Sequence, residues 1–165
     1  MMLNKKNNII LIIIFFVISF SIISALIIEY VLNHKPCSLC LYERIPYFLS
    51  ALLIIKIFFF KKYEKITLLI LFLIFMISTL LAFYHFGIEQ SFFNESFVCN
   101  VENQLTILSK ENLLKELNKN IVSCKDVTFR ILGLSLAAIN TILSVVLSII
   151  FLKLFFNYGS SSTSQ

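Results

Sequence analysis

Four runs of roughly twenty apolar residues constrain this chain more than any other feature of it: Ile9 to Ile28, Leu41 to Phe60, Ile66 to Phe86, and a stretch within 130–153. At 1.5 Å of rise per residue, ~20 helical residues cross the ~30 Å hydrocarbon core of a bilayer. The 165 residues are 59% hydrophobic and only 14% charged, with a mean hydropathy of +0.92. That excludes a soluble domain of ordinary composition. After four spans too little chain remains for a second domain. The expectation is therefore a single all-α membrane protein over residues 1–165, a four-transmembrane-helix bundle with external loops at 29–40 and 87–128 and a disordered tail at 157–165.

The formal net charge of +5 could suggest nucleic acid, but Lys and Arg are strung between apolar runs and do not cluster. Topology accounts for them better. Lys5, Lys6, Lys61, Lys62, Lys65 and Lys153 fall on one side of the bundle, against Lys35 and Arg44 on the other. By the positive-inside rule the first side is cytoplasmic. Both termini then face the cytoplasm, and Cys37, Cys40, Cys99 and Cys124 all face outward, where disulfides persist. The first run could also be read as a cleavable signal peptide with Ser24-Ala25 near its end. It is long for that role and no A-x-A pattern follows, so a retained helix is expected.

About forty residues separate the third and fourth runs, with six acidic residues and four lysines. Within them Leu105, Leu108, Leu113, Leu114, Leu117 and Ile121 recur at near-helical spacing among charges. This predicts a short amphipathic helix, lying either on the membrane surface or on top of the bundle. Gly87 suits the end of the third helix, and Pro46 is expected near the first turn of the second.

Chemistry concentrates in His34-Lys35-Pro36-Cys37-Ser38-Leu39-Cys40-Leu41-Tyr42-Glu43-Arg44. Arg44 follows Cys40 by four positions and stacks over it on a helix, and a helix N-terminus and a guanidinium both favour a thiolate. Cys40 is therefore expected to be the most acidic thiol. Glu43 opposes this unless it turns to water. Covalent haem would need His after Cys40, where Leu41 stands, and a four-thiolate zinc site would need a second tight pair. No metal site is expected. Thioredoxin-type catalysis would need a βαβ fold, and purely static disulfides remain open. A relay uses all four cysteines, passing oxidation between pairs by thiol–disulfide exchange, with a soluble partner at the long loop and an acceptor in the membrane. A quinone is the natural acceptor, with Arg44 donating to a carbonyl oxygen; snorkelling of Arg44 to lipid phosphates is the competing role.

Pro36-Cys37-Ser38-Leu39-Cys40-Leu41-Tyr42-Glu43-Arg44 resembles the P-C-x-L-C-x-x-[EQ]-R segment of the DsbB family of bacterial disulfide-bond formation proteins. Tyr84-His85-Phe86-Gly87-Ile88-Glu89 is similar to that family's Y-H-x-G-x-E stretch. Cys124 to Ser135, with Asn140 beyond, is similar to its entry to the fourth helix, although Phe129 stands where many members carry Trp. The resemblance implies a quinone-dependent oxidase in the bacterial inner membrane that reoxidises a soluble periplasmic partner, DsbA. It implies that Cys99 forms the mixed disulfide with that partner and pairs with Cys124. It further implies that Cys37 and Cys40 are the quinone-side pair with Cys40 contacting the quinone, and that Arg44 and His85 flank it. Ubiquinone and menaquinone are equally compatible. A vitamin K epoxide reductase-like enzyme is the rival class, but there the C-x-x-C lies late in the chain.

Overall fold

A computed structural model describes residues 5–60, 63–94, 124–125, 130–131 and 133–160. Its elements in chain order are α1 (Lys5–Tyr30), α2 (Ser38–Phe59), α3 (Glu64–Glu89), a short hairpin of β1 (Arg130–Ile131) and β2 (Leu134–Ser135), and α4 (Leu136–Ser160). Each helix contains a segment long and apolar enough to cross a membrane: Asn7–Tyr30, Ser38–Phe59, Glu64–Glu89 and Leu136–Tyr158. Runs rich in Ile and Phe are poor helix formers in water. In lipid no water satisfies the backbone, so the helix is the form that pairs every N–H and C=O within the segment. The chain is a multi-pass, four-helix membrane protein.

The helices are apolar on both their inner and outer faces. Leu11, Ile18, Ile54, Leu68, Leu71, Phe75 and Phe151 are fully buried between them. Phe75 stacks on Phe151 at 5.5 Å, and Tyr47 meets Phe75 edge-on at 5.6 Å. On the outside Phe16, Phe20, Leu52, Phe59, Ile77 and Leu80 are each more than half exposed. In water such a surface would drive association; in a bilayer it is the lipid-facing surface. The bundle is built by α3 packed along α4, with α2 against α3 and α1 against α2.

Several boundaries differ from the expectations, each for a local reason. α2 starts at Ser38 and not at 41, because Cys37 caps it: the Cys37 sulfur accepts the Cys40 N–H at 3.3 Å. Pro46 consequently lies well inside the helix and not near its first turn, leaving the Tyr42 carbonyl without its usual donor. α4 begins at Leu136 and not at 130, since 130–135 is spent on the hairpin, which pairs Arg130 with Ser135 and Ile131 with Leu134. Gly133 sits in its connection at φ +84°, a conformation that glycine adopts without strain. Ser135 then caps α4 by accepting the Ala138 N–H at 3.2 Å. At its other end α4 runs to Ser160, so residues 157–160 of the expected tail are helical.

Gly87 does not end α3, which continues to Glu89 with Gln90 as its cap and Ser91 at φ 61°. Its value is space. The Phe93 ring folds back over it, so close that a Cβ would clash with Phe93 Cδ2. There Phe93 stacks on Tyr84 at 5.7 Å. The expected amphipathic helix within 105–121, and Cys99, lie outside the described residues.

Candidate functional site

The site forms where the cap of α2 meets the last turns of α3 and the start of α4. Cys37 and Cys40 bracket the first turn of α2 as thiols, with their sulfurs 2.8 Å apart. From α3, His85 Nε2 lies 3.5 Å from Cys37 Sγ. The three side chains bring two sulfurs and a ring nitrogen within 4.8 Å of one another. Cys37 is 6% exposed and packs with Leu39, Ile88 and Cys124 in one buried cluster. Cys124 is itself disulfide-bonded and buried. The structure thus brings three of the four expected cysteines together.

The thiolate-favouring environment falls on Cys37 and not, as expected, on Cys40. The Cys37 thiol is held down to about 4 from an ordinary 9.0, chiefly by the hydrogen bond that Cys40 donates to it; burial opposes this, and the His85 hydrogen bond and charge help. The helix-terminus argument was sound but placed one turn late, since the capping atom is the Cys37 sulfur. The sign is that of an acid whose ionised form is favoured: the thiolate persists as pH falls from 9.0 toward about 4, a window in which a free thiol protonates. In the reduced protein, thiolate absorbance and the pH profile of alkylation at Cys37 are expected to hold nearly flat until pH approaches 4. A midpoint near 9.0 would reject this assignment.

Glu43 does not turn to water. It is 7% exposed, with Oε1 2.7 Å from His85 Nδ1 and Oε2 accepting from Asn140 Nδ2 at 2.7 Å. The Tyr47 hydroxyl donates to Asn140 Oδ1 and contacts Ser144 Oγ at 3.2 Å, which lies 3.2 Å from Ser78 Oγ. A buried polar chain therefore runs from Cys37 through His85 and Glu43 toward the centre of the bundle. Helix geometry aligns it: Cys40, Glu43 and Tyr47 share a face of α2, as do Ser78 and His85 on α3 and Asn140 and Ser144 on α4. Sequence reasoning gave no role to Tyr47, Ser78 or Ser144 and read Glu43 only as a charge opposing a Cys40 thiolate. The available signal was that polar side chains inside spans face the interior and pair there. Glu89 adds a second carboxylate, its Oε1 3.9 Å from His85 Nε2 and its Oε2 without a hydrogen-bond partner among the described residues.

Arg44 is neither stacked on Cys40 alone nor free to snorkel. It forms an ion pair with Glu29, in the last turn of α1, with both side chains about four-fifths buried. An acidic residue at a helix C-terminus faces the unfavourable end of the dipole, which is the clue that Glu29 has a cationic partner. The pair holds α1 against α2 and fixes the guanidinium at the rim of a cavity of about 300 Å³. Phe20, Ala25 and Ile28 of α1 and Leu136, Ile139 and Leu143 of α4 form its apolar wall. Cys40, Glu43, Arg44, Tyr47, His85 and Asn140 meet on one side of it, and Ser21, Ser24, His34 and Lys35 complete its polar lining. Cys40 faces this cavity while Cys37 does not line it. An apolar enclosure with a handful of directed polar groups suits a flat, apolar ring bearing hydrogen-bond acceptors.

Comparison with known proteins points to one family. The family model "Disulfide bond formation protein DsbB" matches residues 7–154. A protein of Rickettsia prowazekii (strain Madrid E), "Uncharacterized protein RP370", is similar at 28% identity over 141 residues, which cover 84% of this chain and 81% of that one. No solved structure matches the chain.

Proposed function

The chain belongs to the DsbB family, a membrane disulfide-bond formation protein with a thiol oxidoreductase role, and from that premise we propose that it oxidises a soluble periplasmic DsbA-like dithiol and passes the electrons to a membrane quinone. In this reading it resides in the bacterial inner membrane with both termini cytoplasmic and its cysteine loops periplasmic. The observation that carries it is the position of the Cys37–Cys40 pair, which shares a buried cluster with Cys124 while Cys40 lines the apolar cavity.

Each residue then has a task. Partner thiolate attacks the loop disulfide at Cys99, and Cys124 leaves as a thiolate; the partner's second thiolate then breaks the mixed disulfide, leaving the partner oxidised and Cys99 free. Cys124, which shares a buried cluster with Cys37, attacks it when Cys37 is disulfide-bonded to Cys40, so that Cys40 leaves toward the cavity, and Cys99 then attacks Cys124, restoring the loop disulfide and freeing Cys37. From the dithiol, closing the Cys37–Cys40 bond removes two electrons and two protons, which a quinone bound in the cavity accepts. Cys37 Sγ, 2.8 Å from Cys40 Sγ, is the atom placed to close that bond. His85, with Nδ1 toward Glu43, offers Nε2 to hold the Cys37 proton, and Arg44, Tyr47 and Asn140 would orient the acceptor. The cavity's size and lining fit a quinone head group, and nothing in them separates ubiquinone from menaquinone.

The test is oxidation of reduced partner by purified protein, first without quinone for one turnover and then with quinone in excess. A hydrogen bond to a charged group is worth roughly 1.5–3 kcal/mol, so Arg44→Ala is expected to lower kcat/KM for quinone about ten- to a hundredfold and to leave the quinone-free turnover intact. Equal impairment of both phases would make Arg44 a purely structural partner of Glu29. Two disulfides that resist exchange altogether would favour a static role.

A further inference from the structure

We propose that the reduced site is also a trap for a thiophilic divalent cation of the Zn²⁺ class, bound by Cys37, Cys40 and His85, so that metal occupancy arrests the protein in its dithiol form. The sequence argued against metal because Cys99 and Cys124 are not a second tight pair. The third ligand comes instead from α3, 48 positions after Cys37.

Two sulfurs and an imidazole nitrogen within 4.8 Å of one another are a ligand set that zinc prefers. Around a tetrahedral ion with Zn–S near ~2.3 Å and Zn–N near ~2.0 Å, donor atoms stand about 3.5–3.8 Å apart. The 3.5 Å from Cys37 Sγ to His85 Nε2 already meets this. The sulfurs, 2.8 Å apart, must open by about 1 Å, and Cys40 has the cavity to open into. The surrounding shell is formed too. Glu43 on Nδ1 leaves Nε2 as the metal-binding nitrogen, the carboxylate–histidine arrangement that steadies bound zinc. Glu89, one of whose carboxylate oxygens has no hydrogen-bond partner among the described residues, lies beside the same nitrogen as a candidate fourth donor. Binding takes the Cys37 thiolate as it stands, displaces the Cys40 thiol proton and any proton held on His85 Nε2, and transfers no electrons. The disulfide form offers no thiolates, so it binds no ion.

The test uses the full chain in detergent with Cys99→Ser and Cys124→Ser, so that Cys37 and Cys40 are its only thiols. Zn²⁺ affinity is read by competition with a chromogenic chelator, and Co²⁺ serves as the spectroscopic probe. One Zn²⁺ per reduced chain and none per oxidised chain are expected, with the intense visible bands and thiolate charge transfer of a tetrahedral Co²⁺ site. Glu43→Gln should weaken Zn²⁺ binding about ten- to a hundredfold, and His85→Ala at least as much. No binding by the reduced chain overturns the proposal, as does equal binding by the oxidised chain or unchanged affinity in both variants. Should His85→Ala unsettle the bundle, the parent's Co²⁺ spectrum still decides, since weak octahedral bands contradict a thiolate site. The arrest rests on the oxidase reading and is measured separately on the unsubstituted chain, as loss of turnover with Zn²⁺ that a chelator restores. Stoichiometric binding with undiminished turnover overturns the arrest, and no turnover with or without metal overturns the oxidase reading while the binding result stands.

Discussion

Cys40→Ser is expected to bring quinone-dependent turnover down to the rate without protein, a fall of about 10⁴-fold or more, the scale on which loss of a covalent nucleophile acts. Of the two thiols at the mouth of α2, only Cys40 lines the cavity, so in the proposed oxidase its sulfur is the one through which electrons would leave. Cys40→Ala should lose turnover equally, but the two variants part at Cys37. The hydrogen bond from Cys40 is the largest cause of the low Cys37 value, and a serine hydroxyl can still donate where alanine cannot. The Cys37 titration should therefore stay well below 9.0 in Cys40→Ser and climb toward it in Cys40→Ala. The measurements are steady-state oxidation of reduced partner with quinone in excess and thiolate absorbance against pH. If Cys40→Ser retains a substantial fraction of parent turnover, electrons leave by another route and the cavity is not the acceptor site.

The four spans were legible because a bilayer imposes a length and a composition that no other environment demands of a helix. Their ends were less so. Ser38 opens α2 because a cysteine sulfur serves as the cap, and the Arg130–Ile131 and Leu134–Ser135 strands form a hairpin directly before α4. Neither belongs to the common vocabulary of capping residues and spans. The cysteine pair could be read from local spacing alone, as could the proximity of a cation. What local spacing misjudged was the partner of each charge. Glu43 looked like a neighbour that would repel a Cys40 thiolate, yet it turns across to His85, 42 positions away, and Asn140, 97 positions away. Arg44 likewise looked toward Cys40 and is committed to Glu29. Such pairings are decided by which helices adjoin, information that appears only when the bundle closes.

That closure should be measurable in stability, and Glu43 is where it should show most. Glu43→Ala leaves two buried donors, at His85 Nδ1 and Asn140 Nδ2, without an acceptor. Each orphaned buried donor costs about 1–3 kcal/mol, so a destabilisation of roughly 2–6 kcal/mol is expected, large against the stability of a small bundle. Glu43→Gln should cost less, since an amide oxygen can still accept from one of the two. The decisive comparison is a double-mutant cycle in detergent, read by chemical unfolding, between Glu43→Leu and His85→Leu. Removing both partners of a buried polar pair costs much less than the sum of removing each, because no group is left stranded. The double variant should therefore be far more stable than additivity allows, with Asn140 accounting for the remaining deficit. Additive losses would mean that Glu43 and His85 contribute independently. The chain from Cys37 to the bundle centre would then be a set of separate contacts and not one network, and His85 would lack the fixed orientation that both its proton-holding and its metal-binding roles require.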